Sequence, residues 1–215
     1  MQPRVGVFGG SFNPIHFGHL LMADDVCEIL QLDRVVFVPA AQPPHKPPSE
    51  LAPALDRYRM TGLAVGEHPR FEVSDVEVRR SGPSYTVDTL TELQNCGRLH
   101  LIIGSETFLD LLNWKDPRRV ARLARLVVIP RTGLDFDPET PAAHKVLREL
   151  DLAGFARAGG GDPDESRPVL LPAASLPISA SDLRRRAREG RSLAYRMPES
   201  VVSYIRDHQL YRPEV

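Results

Sequence analysis

Short apolar runs alternate along this chain with stretches of helical period. Residues 5–8 (Val-Gly-Val-Phe) form an apolar run that stops at Gly9-Gly10, and residues 33–38 form a second that ends at Pro39. Between them, from about Gly18, Met22, Val26 and Ile29 recur at i, i+4 and i+7, the spacing of one helix face. The same reasoning predicts helices at 55–65 and 87–93, an alternating strand at 71–78, and buried strands at 99–103, 126–129 and 169–171. Two helices are predicted to close the chain, near 181–189 and 199–208. The proline-rich stretch 40–53 reads as a loop. Residues 131–167 hold Gly159-Gly160-Gly161 and read as a variable excursion with one helix near 142–150. Strands in alternation with helices predict an α/β fold, with a mostly parallel sheet, helices on both faces and a small helical part over 178–215. All 215 residues are expected to form a single domain.

Composition narrows the classes. The formal charge of −1 argues against bulk electrostatic binding of nucleic acid. Only Lys46, Lys115 and Lys145 are lysines among the 27 basic residues, so a single arginine carries little weight by itself. Cys27 and Cys96 lie far apart and form no CxxC, as in a reducing compartment. The N-terminus has no charged region followed by a long apolar stretch, so no signal peptide is expected. No run approaches the ~18 apolar residues of a membrane span. The expectation is a cytoplasmic protein with no membrane or nucleic-acid partner, and a homo-oligomer is left open.

Chemistry concentrates in two segments. Gly9-Gly10-Ser11-Phe12-Asn13-Pro14-Ile15-His16-Phe17-Gly18-His19 lies between a strand and a helix. Ligands of open α/β sheets bind beyond the carboxyl ends of strands. The glycines let a ligand approach the main chain, and N–H groups at a helix start favour phosphate. A plain tight turn explains the glycines but leaves His16, Gly18 and His19 incidental. The segment is neither a Walker A loop nor a Gly-x-Gly-x-x-Gly fingerprint. Zinc usually takes three or four protein ligands, and no second Cys/His cluster is present, so no protein-held metal is expected. The second segment, Ile178-Ser179-Ala180-Ser181-Asp182-Leu183-Arg184, opens a helix. Ser179 and Asp182 fit a capping box, which leaves Arg184 without a role. Taken alone, it reads equally as a cap or as a phosphate site.

Together, His16-Phe17-Gly18-His19 and Ile178-Ser179 through Arg184 resemble the paired motifs of the nucleotidyltransferase superfamily. Pro43-Pro44-His45-Lys46, Asp56-Arg57 to Met60, Ser84-Tyr85-Thr86-Val87-Asp88-Thr89-Leu90, Leu101 to Gly104, Trp114 and the closing Val202 to Tyr211 are similar to the bacterial nicotinate-nucleotide adenylyltransferases over nearly the whole chain. The resemblance implies a Rossmann-like fold and transfer of AMP from ATP, with Mg²⁺, to nicotinic acid mononucleotide, releasing pyrophosphate. It implies catalytic roles for His16, His19 and Arg184. It places ATP on Gly9, Gly10, Ser11, Phe12, Gly18, Gly104, Glu106, Arg131, Ile178 and Ser179. It places the nicotinate nucleotide on Asn13, Lys46, Thr86 and Trp114. Glu106 stands where the family usually has Asp. Alternatives are nicotinamide mononucleotide as acceptor, a phosphopantetheine or cytidylyl enzyme, and a catalytically silent nucleotide sensor.

Overall fold

Strand β1 (Arg4–Gly10) lies at the centre of the sheet, and its neighbours explain where a ligand can sit. The computed structural model describes residues 2–130, 136–157, 166–174 and 176–212. After β1 come α1 (Phe17–Ile29), β2 (Arg34–Pro39), α2 (Ala54–Val65), β3 (Phe71–Val73), α3 (Val76–Arg79) and α4 (Thr86–Leu93). Then follow β4 (Arg98–Gly104), α5 (Ser105–Asp110), α6 (Pro117–Leu123), β5 (Ala124–Ile129), α7 (Pro141–Glu149), β6 (Ala156–Arg157), β7 (Val169–Leu170), α8 (Ala180–Arg188) and α9 (Glu199–Asp207). The seven strands among the described residues form one sheet in the order β3-β2-β1-β4-β5-β7-β6. Every pairing is parallel.

Both faces of the sheet are covered, so its central strands read as continuous apolar runs. Val5 and Val7 of β1 point into a core shared with Leu90, Leu101, Phe108 and Val146. Phe8 points to the other face, where Val26, Met60, Leu183, Val201 and Ile205 pack. The C-terminal helices α8 and α9 therefore close the same face as α1 and α2.

Three local readings change. The strand expected over 71–78 ends at Val73 and α3 begins at Val76. Two consecutive polar residues break the alternation there. The Ser74 N–H donates to Phe37 O, and Ser74 Oγ accepts from Val76 N at 3.3 Å. On α1 the buried stripe is Ala23, Val26 and Cys27, whereas Ile29 is 42% exposed. Helices α5 and α6 and strand β6 were not expected. The first two are six and seven residues long and β6 is two, too short for a period to show. No helix among the described residues is long and apolar enough to cross a membrane. Cys27 and Cys96 are free thiols.

Candidate active site

Strand order reverses between β1 and β4, and in such sheets the crevice forms outside the carboxyl ends at that point. A cleft of about 920 Å³ lies there. Gly10, Ser11, Phe12, Asn13, His16, Gly18 and His19 border it from the first segment, Gly104 and Glu106 from the β4–α5 junction, and Ile178 and Ser179 from the second segment. The two segments, more than 150 residues apart, thus share one cavity. A Cβ on Gly9 or Gly104 would meet no protein atom within 4 Å, so both leave backbone open to a ligand. Gly18 answers a different need. A Cβ there would lie 3.1 Å from the His16 ring, so the glycine gives the imidazole its seat.

Phe12 has φ +41°, a left-handed backbone that a non-glycine residue holds only under outside constraint. Its buried ring supplies that constraint, at 5.6 Å from Phe8, 5.8 Å from Phe37 and 5.2 Å from His19. The strained turn carries the chain from β1 into α1 with both histidines facing the cleft.

His16 caps α1, and its ring stacks on that of His19 at 3.8 Å between centroids. The His16 amide donates to His19 Nδ1 at 3.3 Å. The neutral His19 ring must then carry its proton on Nε2, the nitrogen left to donate. Burial pushes His16 down to about 4. His19 lies well below its ordinary value through burial first, then His16 and Lys46. Both rings are neutral at pH 7 in the free protein, and an arriving anion favours protonation.

A consequence for stability follows. On acidification the unfolded chain binds protons at His16 from pH 6.5, while the folded chain resists until about 4. Stability from this group is full above pH 6.5 and is lost as pH falls to 4, on the order of 3 kcal/mol, and His19 adds in the same direction. The melting temperature of the free protein should fall across this window, and His16→Gln should flatten the fall. The same pH dependence in both proteins would contradict the burial of a neutral His16.

Lys46 Nζ donates to Ser11 Oγ at 2.9 Å, so the proline-rich loop already lies across the first segment. Burial lowers the Lys46 pKa, with Arg184 and Arg57 adding to the effect. Of these three cations Lys46 borders the cleft, and an anion bound there would relieve the repulsion it feels. Arg184 Nη1 reaches from α8 to Asn13 O at 2.9 Å, bringing the second segment's cation onto the first. Ser179 borders the cleft and is also the cap of α8, accepting from Asp182 N at 3.2 Å. Asp182 pairs with Arg185 instead of returning a bond to the cap.

Thr86 and Trp114 meet in a separate pocket of about 140 Å³, walled by Pro44, His45, Tyr85 and Lys115. Lys115 Nζ lies 4.6 Å above the Tyr85 ring and 2.9 Å from Asp88 Oδ2. Glu106 is exposed in the first turn of α5, at the rim of the large cleft. Asn13 borders that cleft, but its side chain is 2% exposed and engaged at both ends by protein atoms. Arg131 lies outside the described residues.

The sequence reading assigned no role to Arg57. It is 1% exposed and donates to the carbonyls of Ser11, Ala40, Ala41 and Ala52 at 2.6–3.0 Å. Its signal was present in α2, where Arg57 falls on the buried stripe with Met60, Thr61 and Val65. A charged residue on an apolar stripe requires partners.

Residues 7–186 match the family described as Cytidylyltransferase-like. Over 212 residues the chain is 44% identical to a Thermus thermophilus protein named "Probable nicotinate-nucleotide adenylyltransferase", covering 97% of this chain and 100% of the relative. The chain belongs to the nicotinate-nucleotide adenylyltransferase family. A Roseiflexus protein of the same name is 40% identical, the match covering 97% of this chain and 98% of the relative. The adenylyltransferase fold is also found in a Plasmodium falciparum nicotinic acid mononucleotide adenylyltransferase complexed with NaAD. That structure aligns at TM-score 0.72 and 17% identity, covering 97% of each chain.

Proposed function

We infer that the protein transfers the adenylyl group of ATP to nicotinic acid mononucleotide, giving the nicotinic acid dinucleotide and pyrophosphate in NAD biosynthesis. The observation that carries this reading is the meeting of both phosphate segments at the β1–β4 crevice, with the aromatic pocket of Trp114 nearby on the Pro44–Lys46 loop. The names of the 44% and 40% identical relatives supply the substrates.

In the reaction a phosphate oxygen of the mononucleotide attacks the α-phosphorus of ATP. A new P–O bond forms, the bond from the α-phosphorus to the bridging oxygen breaks, and pyrophosphate leaves with the electron pair. The nucleophile is already an anion, so no general base is needed. Two polyanions must be brought together instead. At an effective dielectric of about 20, two unit charges 4 Å apart repel by ~4 kcal/mol. Lys46, Arg184 and the paired imidazoles offset that repulsion and hold the phosphates in line. We assign the ATP phosphates to the backbone at Gly9–Phe12 and to Ser179 at the start of α8, and the ribose to Glu106.

Among the described residues no three His, Cys, Asp or Glu side chains cluster to hold a metal, and Glu106 is the one acid bordering the cleft. Mg²⁺ would enter with ATP and would supply neutralisation of charge on the departing phosphates. We assign the pyridine ring to Trp114 and its carboxylate to N–H donors around Thr86 and Trp114, the Lys115 cation being paired with Asp88. The protein is read as a cytoplasmic enzyme.

Trp114→Ala should raise KM for nicotinic acid mononucleotide about 10-fold, as for loss of one aromatic stacking partner, and leave KM for ATP within about 2-fold. Equal effects on both substrates would contradict the assignment of this pocket to the pyridine ring.

A further inference from the structure

Three distant parts of the chain meet at Asn13. Its Nδ2 donates to Glu50 O at 2.9 Å. Its Oδ1 accepts from Ala52 N at 3.1 Å and from the Tyr211 hydroxyl at 2.8 Å. Its main-chain oxygen accepts from Arg184 Nη1 at 2.9 Å. One residue of the first segment therefore ties together the proline-rich loop, the cation of the second segment and the end of the chain. Tyr211 is held in the left-handed region at φ +62°, and Gln209 just before it at φ +53°. Backbone of that kind persists in non-glycine residues where contacts over-determine it, often at functional sites. Burial pushes the Tyr211 phenol well above its ordinary range, so the hydroxyl stays protonated and donates.

We propose that Tyr211 is a positioning residue of the transfer reaction, acting through Asn13 to fix the place of Arg184 and of the 44–53 loop. The proposal rests on the adenylyl-transfer reading above. The hydroxyl fills the second lone pair of a buried amide oxygen. Without it that acceptor is left half-satisfied, and Asn13 is held by the 44–53 loop alone, through Glu50 O and Ala52 N, with its tie to Tyr211 gone. The main-chain oxygen that anchors Arg184 belongs to the same residue, so a shift of Asn13 toward the loop, once Tyr211 no longer holds it, moves the anchor of Arg184. A displacement well under 1 Å is enough to change a rate that depends on alignment.

Tyr211→Phe keeps the ring and removes only the hydroxyl. It should lower kcat about 5–10-fold, as for one lost hydrogen bond acting on alignment, with KM for ATP little changed. In an Arg184→Ala background the same change should have no further effect on kcat, because the group it positions is gone. Amide exchange of the free protein gives a reading that does not depend on substrate: Tyr211→Phe should reduce protection at Ala52. An unchanged kcat, or an equal loss in both backgrounds, would overturn the proposal. Absence of pyrophosphate release by the unaltered protein contradicts the functional reading. Exchange alone then decides, with lost protection at Ala52 supporting the clasp and unchanged protection overturning it.

Discussion

His19→Ala is expected to lower kcat about 10²–10³-fold, the usual effect of losing one preorganised donor at the reacting group. The ring is neutral, carries its proton on Nε2, and is held by the His16 amide and by stacking at 3.8 Å. It needs no reorganisation when charge develops on the phosphates. The same change should move the melting temperature by a few degrees at most, because the ring borders an open cleft. Single-turnover pyrophosphate release and calorimetry on one preparation measure the two effects together. A kcat within 3-fold of the unaltered protein would remove His19 from the mechanism.

Arg57→Leu is expected to act in the opposite sense, on stability first. The guanidinium bonds four carbonyl oxygens from three places, Ser11, Ala40–Ala41 and Ala52. Loss of the donor leaves those acceptors without it in a site that is 1% exposed. A loss of about 3–4 kcal/mol follows, which for a chain of this length lowers the melting temperature by roughly 6–16 °C. Because the four carbonyls fix the proline-rich loop against the first segment, KM should rise for both substrates in the protein that remains folded. Thermal unfolding with paired KM values checks this. A melting temperature within 2 °C of the unaltered protein would show that the carbonyls find other donors.

The contrast between these variants follows the line between what the sequence made legible and what it did not. The first segment was legible because its chemistry is local. Glycines, a strand end and two histidines three apart specify a turn, a helix start and a shared face without reference to the rest of the chain. The pairing of Ile178–Arg184 with it rested on resemblance, and the Arg184–Asn13 bond is its physical form. Ser179 was read equally as cap or site, and the structure makes it the cap of α8 at the edge of the cleft.

Arg57 had no role and Asn13 was read as a contact of the nicotinate nucleotide, because their partners lie 5 to 46 and 37 to 198 positions away along the chain. No local pattern states which carbonyl an arginine will meet. Thr86 and Trp114 were assigned together by resemblance, and the packing of α4 near the loop after α5 brings them into one pocket with Lys115. Glu106 lies at the rim of the cleft in α5, a helix too short to announce itself, so its place relative to the phosphates could not be read in advance.

The most direct measurement is pyrophosphate release by the purified protein with ATP and Mg²⁺, with nicotinic acid mononucleotide and nicotinamide mononucleotide run side by side. A kcat/KM about 100-fold or more in favour of the acid is expected, the ratio for a site whose polar groups are matched to one substrate and left unpaired by the other. A ratio near one would contradict nicotinic acid mononucleotide as the preferred acceptor, and no release with either nucleotide would contradict adenylyl transfer itself.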